Sequence, residues 1–212
     1  MNILSHRGYW KSPEEKNTPL AFSRSFSLGF GTETDLRDLA GTLVVSHDPP
    51  ASGAISAEIL FEIHQGIDSD LPLALNIKSD GLQKLLSPLL ERFSIGNYFV
   101  FDMSIPDALG WLQAGVPVFT RQSEYEPQPA FLNQAAGIWL DGFHGEWWNL
   151  DLIRGHLELN KQVCLVSPEL HGRDPEACWD RLAKSEFLAD PRFLLCTDYP
   201  EKAREFFLTS SE

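Results

Sequence analysis

Short runs of Val, Ile, Leu and Phe recur along the chain, and most are followed by a stretch whose apolar residues fall three and four apart. Strand-like runs begin near Asn2, Gly31, Leu71, Asn97, Val116, Gly137, Gln162 and Arg192. Most are apolar throughout, as expected of parallel strands buried on both faces. Thr18–Leu28 carries Leu20, Ala21, Phe22, Phe26 and Leu28 on a helical stripe, and Gly81–Phe93 carries Leu82, Leu85, Leu86, Leu89 and Leu90. Helical runs at Ile55–Gln65, Pro106–Gln113, Pro129–Ala136, Leu150–Leu159, Pro175–Glu186 and Glu201–Phe207 complete the alternation. Several open at or beside proline, which fits a first helical turn. An extra strand, Leu43–Ser46, pairs after the second strand–helix unit.

This alternation predicts an α/β fold, a single (β/α)8 TIM barrel filling residues 1–212 as one domain. A typical barrel has about 250 residues, so this one is compact. A doubly wound open sheet is the structural alternative, but the Gly-rich dinucleotide turn of that fold is absent.

A barrel gathers its working groups at the carboxyl ends of its strands. Those ends carry His6, Glu33 with Asp35, Asn76 with Lys78, Asp102, Arg121, Asp141, Glu169 and Asp198, with His47 following the extra strand. Glu33 and Asp35 are two apart, so both face the same way in a strand, as do Asn76 and Lys78. Paired carboxylates suit a hard divalent cation. Imidazole titrates near neutrality, so His6 and His47 are residue types that can carry protons, while the planar fork of Arg7 suits phosphate. A blander reading makes Glu33 and Asp35 part of a solvated strand with Arg37 and Asp38, although inward carboxylates without a partner would be costly. Asn17 equally reads as the cap of the helix after it. Asp102, Arg121 and Asp141 are candidates by position alone, Glu169 and His171 could stand in for a carboxylate, and Phe143, Trp147 and Trp148 could wall a pocket.

In order, Ser5-His6-Arg7-Gly8, Lys16-Asn17-Thr18, Glu33-Thr34-Asp35, His47-Asp48 and Leu195-Cys196-Thr197-Asp198-Tyr199-Pro200 resemble the glycerophosphodiester phosphodiesterase family, within the phosphatidylinositol phospholipase C-like superfamily. The detailed likeness covers roughly the first quarter and the last strand. It implies a metal-dependent hydrolase of glycerophosphodiesters or related small phosphodiesters. His6 and His47 would be acid and base, Arg7 and Lys78 would meet the phosphate, and Glu33, Asp35 and Asn76 would hold Mg²⁺ or Ca²⁺. The family's chemistry can use a neighbouring substrate hydroxyl as nucleophile. Two departures stand out. The family's third-strand carboxylate is Asn76 here, and its Glu before Asn-Thr is Lys16. The family's inserted subdomain also looks absent after His47. A barrel that binds a phosphorylated ligand without cleaving it is therefore the alternative.

Composition narrows the partners. The chain has 212 residues, 43% hydrophobic and 22% charged, with a formal net charge of −13. Such a surface repels nucleic acid and anionic membranes and leaves room for the small phosphodiester that the resemblance implies as partner. No apolar run approaches the ~20 residues of a spanning helix, and Met1 leads straight into the first strand without room for a signal peptide, so a cytoplasmic location is expected. Cys164, Cys178 and Cys196 lack metal or redox spacing, and Cys164 and Cys196, in apolar strand-like runs, read as small buried hydrophobes.

Overall fold

The computed structural model describes residues 1–209. They form two compact units, Ser5–Val118 and a second made of Met1–Leu4 with the chain from Phe119 onward. Strand β1 (Asn2–His6) gives its first residues to the second unit and its last to the first.

In the Ser5–Val118 unit, helix α1 (Pro19–Ser27) is set by its own sequence. Thr18 caps it, Oγ1 accepting the Ala21 N–H at 3.3 Å, and Pro19 fills the first turn. Phe22 and Phe26 bury their rings with Leu60 and Phe61 of α2 (Ala57–Ile67). Each such side chain contributes about 1.5–3 kcal/mol by leaving water.

Strand β2 (Gly31–Leu39) changes character along its length. Its Thr32–Leu36 stretch is buried and runs parallel to β5 (Leu73–Ile77), in a register that sets Glu33 beside Ala74 and Asp35 beside Asn76. β5 in turn runs parallel to β6 (Tyr98–Phe101). From Leu36 onward β2 pairs antiparallel with β3 (Thr42–Val45) through a two-residue turn. Ala40 (φ 50°) and Gly41 (φ 81°) both lie in the left-handed region, the conformation that lets a tight hairpin follow the strand twist. A short β4 (Ile55–Ser56) pairs with β3. Helices α3 (Gln83–Arg92) and α4 (Ile105–Gln113) add Leu86, Leu90 and Trp111 to the core.

The other unit holds β7 (Phe119–Gln122), β8 (Gly137–Leu140), β9 (Gln162–Val166) and β10 (Phe193–Thr197), parallel neighbours in the order β10-β9-β8-β7. Ile138, Leu140, Val163, Leu165, Phe193 and Leu195 meet helices α5 (Leu150–Glu158), α6 (Glu176–Ala183) and α7 (Pro200–Thr209) in its core. One sequence expectation fails here: Pro129–Ala136 is a turn, not a helix. Phe131 takes φ 56°, which a right-handed helix forbids, and its carbonyl accepts from both Gln134 and Ala135. The three cysteines are free and buried. Among the described residues no helix is long and apolar enough to cross a membrane.

Candidate active site

The site begins where β1 ends. Arg7 (φ 59°) and Gly8 (φ 79°) reverse the chain, and a Cβ on Gly8 would stand 2.8 Å from the Ala21 Cβ, so only glycine fits. The reversal turns the Arg7 N–H onto the Glu33 carbonyl at 2.8 Å and towards Glu33 Oε2 at 3.3 Å. The Arg7 side chain then reaches two further candidates. Its Nε lies 3.1 Å from Asp35 Oδ2, a charge contact, and its Nη2 donates to His47 Nδ1 at 2.8 Å.

His47 is delivered by the β2–β3 hairpin. Ser46 N–H donates to the Asp35 carbonyl at 3.0 Å, and Arg37 Nε holds the His47 carbonyl at 3.1 Å. His47 Nδ1 thereby stands 3.3 Å from Asp35 Oδ1. On the other side, Lys78 Nζ is 3.5 Å from the same Asp35 oxygen. Asn76 Nδ2 donates to Glu33 Oε1 at 3.4 Å, and His6 Nε2 lies 3.9 Å from Glu33 Oε2. The residues singled out in the sequence thus converge within one unit.

Burial makes their charges consequential. Glu33 is 2% exposed and Asp35 1%. Loss of water, reinforced by the Asp35 charge, pushes the Glu33 carboxyl up to about 8. Burial would raise Asp35 too, but Arg7, the Asn17 amide and Lys78 outweigh it and hold Asp35 below the usual carboxylate range. Counting Asp102 beside Lys78, the cluster has one more carboxylate than guanidinium and ammonium groups, and a proton on Glu33 restores the balance. A divalent cation would replace that proton. The donor set fits one: Glu33 and Asp35 offer hard oxygens, and the buried Oδ1 of Asn76 has no hydrogen-bond partner. Among the described residues, however, no group of three or more His, Cys, Asp or Glu side chains is disposed to hold a metal, so the amide of Asn76 would have to complete the set.

Two residues do more than their sequence suggested. Asn17 does not cap α1. With φ 58° it turns inward, donating from Nδ2 to Asp35 Oδ2 at 2.9 Å and accepting at Oδ1 from Thr34 Oγ1 at 2.8 Å. Asp102, at the end of β6 with φ 71°, receives the Asn76 amide at 3.3 Å and lies 3.7 Å from Lys78 Nζ. Its place at a strand's carboxyl end was the signal available in the sequence.

The remaining positional candidates belong to the other unit. Glu169 accepts from Thr197 Oγ1, from Ser167 Oγ at 2.5 Å and from Asp198 N–H at 3.1 Å. Asp141 holds His171 Nε2 at 2.7 Å, and the His171 ring meets Phe143 edge to face. Arg121 stacks on Phe143, Trp147 donates to the Asp141 carbonyl, and Trp148 is a core residue rather than a pocket wall.

No family model matches the chain, and no curated protein does. Among solved structures, the glycerophosphodiester phosphodiesterase from Agrobacterium tumefaciens strain C58 matches 100% of this chain and 99% of its own at TM-score 0.70 and 17% identity. The chain shares the fold of that enzyme. The Ca²⁺-dependent phosphatidylinositol-specific phospholipase C from Streptomyces antibioticus matches 97% of this chain and 95% of its own, at TM-score 0.56 and 12% identity. The α/β barrel class expected from the strand–helix alternation therefore holds, and at these identities the likeness is one of fold. The first strand, second strand and extra hairpin of the chain carry the His-Arg-Gly, Glu-x-Asp and His-Asp motifs.

Proposed function

We propose that this protein is a divalent-metal-dependent phosphodiesterase acting on glycerophosphodiesters or related small phosphodiesters. One observation carries the reading. Buried Glu33 and Asp35, with the unpartnered Asn76 Oδ1, stand against Arg7, Lys78 and the two histidines at the strand ends of a fold shared with two phosphodiesterases.

Glu33, Asp35 and Asn76 would hold Mg²⁺ or Ca²⁺, which when bound supplies a Lewis acid for a phosphoryl oxygen. Arg7 and Lys78 offset charge building on the phosphate, already oriented by Asp35 before substrate arrives. Arg7 has only donors, so its bond to His47 requires a bare ring nitrogen, the form that accepts a proton. His6 and His47 share the proton transfers, one taking a proton from the attacking hydroxyl and the other giving one to the leaving alkoxide. Phosphorus NMR of the protein with a mixture of glycerophosphodiesters tests the reading. A new monoester or cyclic-phosphate signal that needs Mg²⁺, Ca²⁺ or Mn²⁺ and vanishes with EDTA supports it, and no turnover with any metal sinks it.

A second reading rests on Asn76. Its amide donates towards Glu33 and Asp102 instead of adding a negative charge, as suits a barrel that binds a phosphorylated ligand and no longer cleaves it. Asn76→Glu separates the two: gain of cation affinity and rate marks a working hydrolase site, and gain of affinity without any rate marks the binding-only site.

A further inference from the structure

A groove of about 480 Å³ opens beside Arg7 and His47, between the segment 13–18 and the loop 45–55. We propose that it is a subsite for a second anionic group, carried by the leaving alcohol of the substrate, and that Lys16 recognises that group. The proposal rests on the hydrolase reading and names its substrate class: phosphodiesters whose alcohol bears a carboxylate or a further phosphate.

The cations at the scissile phosphate are committed elsewhere. Arg7 is held by Asp35 and His47, and Lys78 by Asp35 and Asp102. Lys16 is different. Its backbone N–H is tied to the Pro13 carbonyl at 3.3 Å, and its ammonium rests 4.3 Å from the centre of the Trp10 ring. Among the described residues no carboxylate pairs with it. The nearby Glu15 is taken by Arg24 at 2.7 Å and by the Lys11 N–H at 2.8 Å. The acidic member of the lining is the exposed Asp48.

Trp10 ties this ammonium to the reaction centre, because its indole N–H donates to the His6 carbonyl at 3.2 Å. A lysine poised one ring away from His6, on a chain of net charge −13, is a local reversal of sign. The same contact argues against a cationic alcohol. An aromatic face attracts quaternary ammonium groups, but the face of Trp10 is already occupied by Lys16, which would repel them.

Matched substrates test this. Glycerophosphoserine differs from glycerophosphoethanolamine by one carboxylate, and glycerophosphoinositol 4-phosphate from glycerophosphoinositol by one phosphate. Binding is measured by calorimetry with EDTA present, and kcat/KM with metal, for wild type, Lys16→Met and Lys16→Glu. Wild type should favour the anionic member of at least one pair, and the pair that responds identifies carboxylate or phosphate. Lys16→Met should cost that member roughly tenfold while barely touching its partner, and Lys16→Glu should reverse the preference. Turnover with no preference, or an equal loss on both members, overturns the subsite and leaves the hydrolase standing. Lys16-dependent discrimination in binding without turnover does the opposite, and absence of both overturns both.

Discussion

Asn17 Nδ2 donates to Asp35 Oδ2 across 2.9 Å, while the other end of the same amide accepts from Thr34 Oγ1. A residue from the loop before α1 thus fixes the angle at which a buried carboxylate faces Arg7 and Lys78. Replacing it with alanine removes a donor from that carboxylate. Asn17→Ala should cost about 1–3 kcal/mol of stability and lower kcat/KM more than KM alone explains. Asn17→Asp should do worse, because it sets a second carboxylate against Asp35. Urea unfolding and steady-state kinetics on both variants check this, and equal behaviour of the two would show that the amide's donor is unimportant.

Arg7 acts through its fork. Nε and Nη2 address Asp35 and His47 separately, a geometry a single ammonium cannot reproduce. Arg7→Lys should keep the fold, judged by an unchanged circular dichroism spectrum and melting temperature, yet lose about a hundredfold in kcat. Near-normal turnover in that variant would contradict the role assigned to the guanidinium.

Gly8 is required by shape. Its φ of 79° and the 2.8 Å approach to Ala21 both exclude a side chain. Gly8→Ala should destabilise the protein by about 1–3 kcal/mol and weaken the site as Arg7 swings away. A thermal melt suffices to check it.

His64 gives a pH dependence separate from that of the site. It is fully buried, with Nε2 donating to the Leu71 carbonyl at 2.8 Å, and burial holds its pKa below the usual histidine range. The unfolded chain therefore takes up a proton near pH ~6.5 that the folded chain refuses. Stability should fall as pH drops below about 6.5, and the fall should be shallower in His64→Gln. Urea midpoints at neutral and mildly acidic pH compare the two slopes, and parallel slopes would rule His64 out as the cause.

Much of this was legible in the chain. Apolar runs located the strands because parallel strands are buried on both faces, and the two-residue spacing of Glu33 and Asp35 put both carboxylates on one side. What stayed hidden depended on backbone conformation or on distant neighbours. Phe131 and Asn17 both adopt positive φ, which local propensity does not reveal, so one expected helix became a turn and one expected cap became a support for Asp35. Asp102 stood out only once β5 and β6 lay side by side, bringing it to Asn76 and Lys78. Lys16 read as a lost family residue until its position over Trp10 was known.

The most direct test follows phosphorus NMR of a glycerophosphodiester mixture with wild type, His6→Ala and His47→Ala, each with metal and then with EDTA. The account predicts metal-dependent cleavage by wild type and its loss, by at least about a hundredfold, in both variants although each stays folded. Full-rate cleavage by either variant, or cleavage by wild type that ignores EDTA, would contradict it.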